Sequence, residues 1–156
     1  MIVVRLARGA WKYAGVRITE WIGAYPLYAM GAVLWHDWNV FGISPSFTVI
    51  NSWASESHWA VGFLLVANVR LIALFVNGYF RSFRHSPTIR FVASCAAGLS
   101  WSAFSSAFFI SWLENGGSPT AWVAYSTLVL IELRNAYVSR VDMAVTREAA
   151  HVRHVR

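Results

Sequence analysis

The sequence predicts an all-α integral membrane protein: a four-helix bundle with both termini in the cytoplasm and a short interfacial helix in its first outer loop. Three observations carry this. The 156 residues are 57% hydrophobic and 13% charged, about half the charged share of an ordinary soluble domain. The apolar residues come in long blocks, and residues 91–113, FVASCAAGLSWSAFSSAFFISWL, hold no charge over a length that crosses bilayer hydrocarbon. Lysine and arginine fall almost wholly on one side of the blocks so defined. The length is that of one domain, residues 1–156, and mean hydropathy is +0.47.

Residues 1–18 are a basic segment with Arg5, Arg8, Lys12 and Arg17, which suits a membrane surface and interrupts any cleavable signal. The first span is expected over about 20–36, with Pro26 as a kink. The second is expected over about 59–80, the third over 91–113 and the fourth over 119–138, with a basic cytoplasmic tail over 139–156. Ser-Pro pairs at Ser44, Ser86 and Ser118 read as helix starts, serine capping and proline occupying the first helical position. The pair at Ser44 opens the interfacial helix, where Phe47, Ile50 and Trp53 recur at helical spacing and are expected to lie on the membrane surface.

The loops fix the direction. Arg81, Arg84 and Arg90 fill one side together with the two basic ends, whereas residues 36–58 and 114–118 carry no lysine or arginine. The positive-inside rule then places residues 81–90 and both termini in the cytoplasm. Trp35, Trp38, Trp53, Trp59, Trp112 and Trp122 fall near the outer boundary, Trp11 and Trp21 near the inner one, and Trp101 at mid-depth between helices.

One charge sits deep in the second span. Arg70 costs about 2.5–3.5 kcal/mol at bilayer centre unless it faces the bundle and finds a partner. Glu132 is the one acidic residue well inside a span, and the depths of the two differ by about 3 Å at 1.5 Å per residue. An Arg70–Glu132 ion pair joining spans two and four follows. Asn77 shares the Arg70 face, and Tyr125, Asn135 and Ser139 share that of Glu132, interrupted by Leu128. Ser94, Gly98, Ser102 and Ser106 recur every fourth residue in the third span and form a ladder on which helices can close. The pair reads either as a structural lock or as a charge-lined route.

No catalytic or metal-binding constellation is legible. There is no nucleophile elbow, phosphate loop or HExxH, and the single Cys95 lies within a span. His36 and His58 flank the outer loop, His85 lies in the inner loop and His151 and His154 in the tail, which fits interfacial histidines better than haem ligands. No cofactor and no enzymatic activity are expected. The net charge of +6 is explained by topology, so anionic inner-leaflet lipid rather than nucleic acid is the expected partner. The outer loop 36–58, rich in tryptophan and phenylalanine, is a candidate docking surface for a protein, and a homo-oligomer is the other candidate assembly.

The stretch from Trp59 to Arg90 reads W-A-V-G, R-L-I-A-L, V-N-G-Y-F-R and S-P-T-I-R, followed by Trp101, Tyr125, Glu132 and A-Y-V-S-R-V-D at 136–142. This pattern resembles a loosely defined group of small four-span membrane proteins encoded by tailed bacteriophages, over roughly residues 20–142. The resemblance implies a phage origin and the host inner membrane, and it implies no mechanism. Two classes stay open: a holin-like, lysis- or entry-related pore or scaffold, and an anchor or helper subunit that docks a partner protein or redox complex.

Overall fold

The computed structural model describes residues 17–37, 39–79 and 85–154, with side chains described within 17–37, 39–76 and 85–148. The expected interfacial segment over residues 1–18 therefore lies almost wholly outside the described residues, as does the side chain of Asn77. Among the described residues the fold is all-helical. In chain order these are α1 (Ile18–His36), α2 (Val40–Ile43), a 3-10 turn (Pro45–Phe47), α3 (Thr48–Trp53), α4 (Glu56–Tyr79), α5 (Ser86–Asn115) and α6 (Pro119–His154).

Local sequence explains most boundaries. α5 opens with Pro87 in its first turn, where a missing N–H costs nothing, and ends at Gly116, whose φ of 69° no other residue in the stretch tolerates as cheaply. The N–H of Gly117 then returns to the carbonyl of Ser111, closing the helix end. α6 starts at Pro119 and runs through the basic tail to His154, because no glycine or proline follows and alanine, arginine and glutamate favour helix. Pro26 sits inside α1 without ending it. Ser44 accepts a hydrogen bond from the Ser46 N–H at 3.3 Å and so acts as the expected cap. Ser86 does not: His85 holds the cap position, and the buried Ser86 hydroxyl donates to the carbonyl of Ala73 across to α4 at 3.4 Å.

The four long helices pack in chain order. α1 lies along α4, α4 along α5 and α5 along α6, and α1 also touches α6. Length and composition single out two helices able to cross a membrane, over Glu56–Val76 and Ser86–Asn115, where the sequence suggested four spans. In α6 the apolar run is interrupted by Glu132, Arg134 and Asn135.

One end of the packed helices is closed by α2, the 3-10 turn and α3. Their apolar residues turn inward rather than toward a membrane surface: Phe41 and Ile50 are buried, and Phe47 stacks on Phe41 and meets Phe108 edge-on. Trp53 alone of the expected amphipathic set is exposed. The reason is the core below it. Phe41, Trp59, Phe63, Trp101, Phe104, Phe108 and Tyr125 form one aromatic cluster whose top the segment completes. Ser118 N–H donates to the Ser46 hydroxyl at 2.9 Å and Val49 N–H to that of Ser111 at 3.5 Å, fastening the cap to the α5–α6 turn.

Candidate functional site

Below the aromatic cluster the core changes character. Arg70 on α4 is 1% exposed and Glu132 on α6 is 2% exposed. Their contact is bidentate, Nη1 to Oε1 at 2.5 Å and Nη2 to Oε2 at 2.8 Å, the fork geometry in which guanidinium and carboxylate bind most strongly. Ser94 on α5 lies 3.5 Å from Nη2, and the Asn135 amide donates to Glu132 Oε2 at 3.3 Å. Gly23 supplies the fourth wall. A Cβ at that position would stand 2.8 Å from Glu132 Oε1 and 3.2 Å from Arg70 Nη1, so only glycine lets α1 close over the pair. All four long helices therefore meet at one ion pair.

One helical turn away lies a second pair that sequence reasoning missed. Arg90 on α5 and Glu20 on α1 are both buried and again bidentate, with Nε to Oε2 at 2.6 Å and a short Nη2 to Oε1 contact. The remaining Arg90 nitrogen donates to Asp142 on α6 at 2.9 Å, and Arg17 reaches the same carboxylate oxygen at 3.0 Å. Three arginines thus meet three carboxylates, a balanced set. Asn135 bridges the two levels, its amide lying 3.4 Å from the carbonyl of Thr19 as well as against Glu132. Ser139, fully buried, continues the α6 face between Asn135 and Asp142. A signal for the missed pair was present: Arg90, Ser94, Ala97 and Trp101 follow steps of four, three and four, so Arg90 belongs to the buried face of α5.

Two expected groupings are redrawn. Tyr125 does not join the ionic cluster; it lies parallel to Phe108 at 4.8 Å and stacks on Trp101 at 5.7 Å. The ladder Ser94–Gly98–Ser102–Ser106 holds only at its start. Ser94 is buried and Gly98 approaches the Glu132 Cβ, at 3.5 Å from its own Cβ position, but Ser106 is exposed. A strict step of four advances about 40° per step on a helix of 3.6 residues per turn, so the row rotates off the interface. Ser105 takes its place, 7% exposed and hydrogen-bonded to the Ser126 hydroxyl at 2.8 Å.

Chemically the cluster holds charge in place. Removing a single partner would strand a buried charge at a cost of about 3–5 kcal/mol. Among the described residues no three histidine, cysteine, aspartate or glutamate side chains come together as metal ligands would. A separate cleft of about 310 Å³ lies beside the cap, lined by Asn39, Phe41, Asn51, Ser55 and Glu56 among others. There one Glu56 oxygen accepts from the Phe41 N–H and so ties α2 to the start of α4. Comparison with protein-family models, curated proteins and solved structures returned no match.

Proposed function

We propose that the chain is a non-enzymatic, multi-pass protein of a bacterial inner membrane, a four-span bundle with both termini cytoplasmic, acting as an anchor or scaffold rather than as a pore. The observation that carries this reading is an inverted distribution of polarity. Arg70, Arg90, Glu20 and Glu132 are buried, while Leu65, Leu99, Leu130 and Tyr25 stand 63%, 73%, 66% and 76% exposed on the four long helices. In water such a surface would aggregate; in lipid it is the solvated face. α4 and α5 qualify as spans by themselves. α1 and α6 bring the acidic and amide groups that the arginines need, and in lipid they are sheltered by that pairing.

The anchor reading gains over a holin-like pore because the one polar stripe is already used. Glu132, Asn135 and Ser139 are 2%, 0% and 0% exposed, so this stripe is not free to line water between copies. A phage origin rests on the sequence resemblance alone.

Induced expression in a bacterial host with a voltage-sensitive dye tests the choice. An anchor leaves the membrane potential intact at high expression, and an abrupt collapse would reverse it. Orientation is read by single cysteines in a Cys95→Ser background. Ser52→Cys, exposed in the cap, should react with an impermeant thiol reagent on intact cells, whereas Arg147→Cys, exposed in the tail, should react only after permeabilisation.

A further inference from the structure

On α4, Val61, Leu65, Asn68, Ile72 and Phe75 are all exposed and follow steps of four, three, four and three. That is the heptad spacing of a seam along which two helices coil. The seam points away from the buried face of α4, where Phe63, Ala67, Arg70 and Leu74 meet the other helices. Asn68 sits at its middle, two residues from the midpoint of the 21-residue apolar stretch Glu56–Val76. Its amide donates to the Leu64 carbonyl at 2.7 Å, its one hydrogen bond among the described residues. One N–H and the carbonyl oxygen remain directed at the surroundings. In hydrocarbon an unpaired carboxamide is costly, which makes it a strong driver of helix association. The exposed hydroxyl of Thr127 on α6 differs, because it is satisfied internally by the Val123 carbonyl at 3.0 Å.

We infer that this face of α4 is the interface between two copies of the chain, joined at mid-depth by reciprocal Asn68–Asn68 hydrogen bonds. The inference rests on the reading of α4 as a membrane span. A second copy is the occupant because a carboxamide is self-complementary, and a two-fold axis along the membrane normal brings Asn68 onto Asn68 at equal depth. The face carries no charge, so nothing on it calls for an ionic partner. Gly62 at its edge agrees. A Cβ there would meet nothing within 4 Å, so no packing inside the chain requires glycine, and its bareness permits a neighbouring helix to come close.

The test uses the full chain in a Cys95→Ser background, labelled with donor or acceptor dye at Arg147→Cys and reconstituted in phospholipid vesicles over a range of protein-to-lipid ratios. Energy transfer should rise with ratio as a saturable dimer. Asn68→Leu should weaken that dimer by about 3- to 30-fold, the range spanned by one interhelical polar contact in lipid. Gly62→Ile should weaken it too, without loss of thermal stability in dilute detergent, since the site is open within one copy. Single cysteines at Leu65 and Ile72 should cross-link between copies, and one at Leu133 on α6 should not. Transfer unchanged by Asn68→Leu, or cross-linking through Leu133 instead, overturns the seam. A chain that is integral by alkaline extraction yet shows no transfer overturns the seam alone, whereas a chain released by alkaline extraction overturns the membrane reading with it.

Discussion

The same four long helices are held together by two different chemistries at their two ends. Near the cap the core is aromatic: Phe104 touches Phe41, Trp59, Phe63, Trp101, Phe108 and Tyr125 with ring centroids 5.1–6.4 Å apart. Two to three turns further along, the core is ionic, with Arg70–Glu132 and Arg90–Glu20 both bidentate and buried. Ring packing is tolerant, because a stacked or edge-on pair keeps most of its energy through small shifts. A fork-to-fork ion pair is not, since sliding one helix by a residue separates the charges and leaves each stranded. The aromatic half thus supplies contact area, and the ionic half fixes which residues face which.

The largest effects should come from the ionic half. Glu132→Gln and Arg70→Gln each strand a buried charge or its neutral mimic and should cost about 3–5 kcal/mol in detergent unfolding. The exchange Arg70→Glu with Glu132→Arg should recover part of that loss, and the double variant Arg70→Leu/Glu132→Leu more of it. Single variants that melt like the unaltered chain would show the ionic half to be wet and energetically idle, and the contrast with the aromatic half would disappear.

The two halves were not equally legible in the sequence. Arg70 and Glu132 were matched because charges are so scarce inside the apolar runs that depth alone picked the partner. Arg90 and Glu20 were not, because each sits at the edge of its run, where an arginine reads as part of a basic loop. What moved Arg90 inside was the start of α5 at Ser86, a full turn before the uncharged stretch begins. The four long helices were legible from block length, and the Ser-Pro pairs at Ser86 and Ser118 mark where α5 and α6 begin. The inward turn of Phe47 and Ile50 was not, since an amphipathic segment at a helix end has the same pattern whether its apolar face meets lipid or plugs a core. Gly23 was equally silent: its role is a distance across α1, α4 and α6 that no local pattern encodes.

In the aromatic half, Phe104→Ala should cost about 3 kcal/mol, the low end for such a deletion, because in the membrane setting proposed above the released groups lose packing rather than gain exposure to water. Phe104→Leu should cost less than half as much by the same melting assay. A loss matching that of Glu132→Gln in both variants would mean that ring packing, too, fixes the alignment of the helices.

Gly23→Ala probes the seam between the halves. The added methyl would approach Glu132 Oε1, which cannot swing away without leaving Arg70, so a loss of about 1–3 kcal/mol is expected. Combining Gly23→Ala with the double leucine replacement of the ion pair separates two explanations. Should the penalty survive in that background, it comes from helix approach in general and not from the carboxylate.

Asp142 gives the smallest expected effect and the sharpest view of what burial does within the ionic half. It shares Arg90 with Glu20, and it also accepts from Arg17, yet its side chain is 33% exposed where that of Glu20 is 2% exposed. Water and salt reach it, so its attraction to the two arginines is screened, and Asp142→Asn should cost below about 1 kcal/mol. Arg90 keeps its bidentate hold on Glu20 in that variant, so no charge is stranded. Glu20→Gln leaves the buried Arg90 with only the part-exposed Asp142 as an anionic partner and belongs with the costly replacements. Raising the salt from about 0.05 to 1 M should erase the difference between Asp142→Asn and the unaltered chain, while leaving the Glu20→Gln loss in place, because screening acts on exposed charge far more than on buried charge. If both losses fade together with salt, Glu20 and Arg90 are in contact with solvent, and the ionic half is a wet surface network rather than a buried lock.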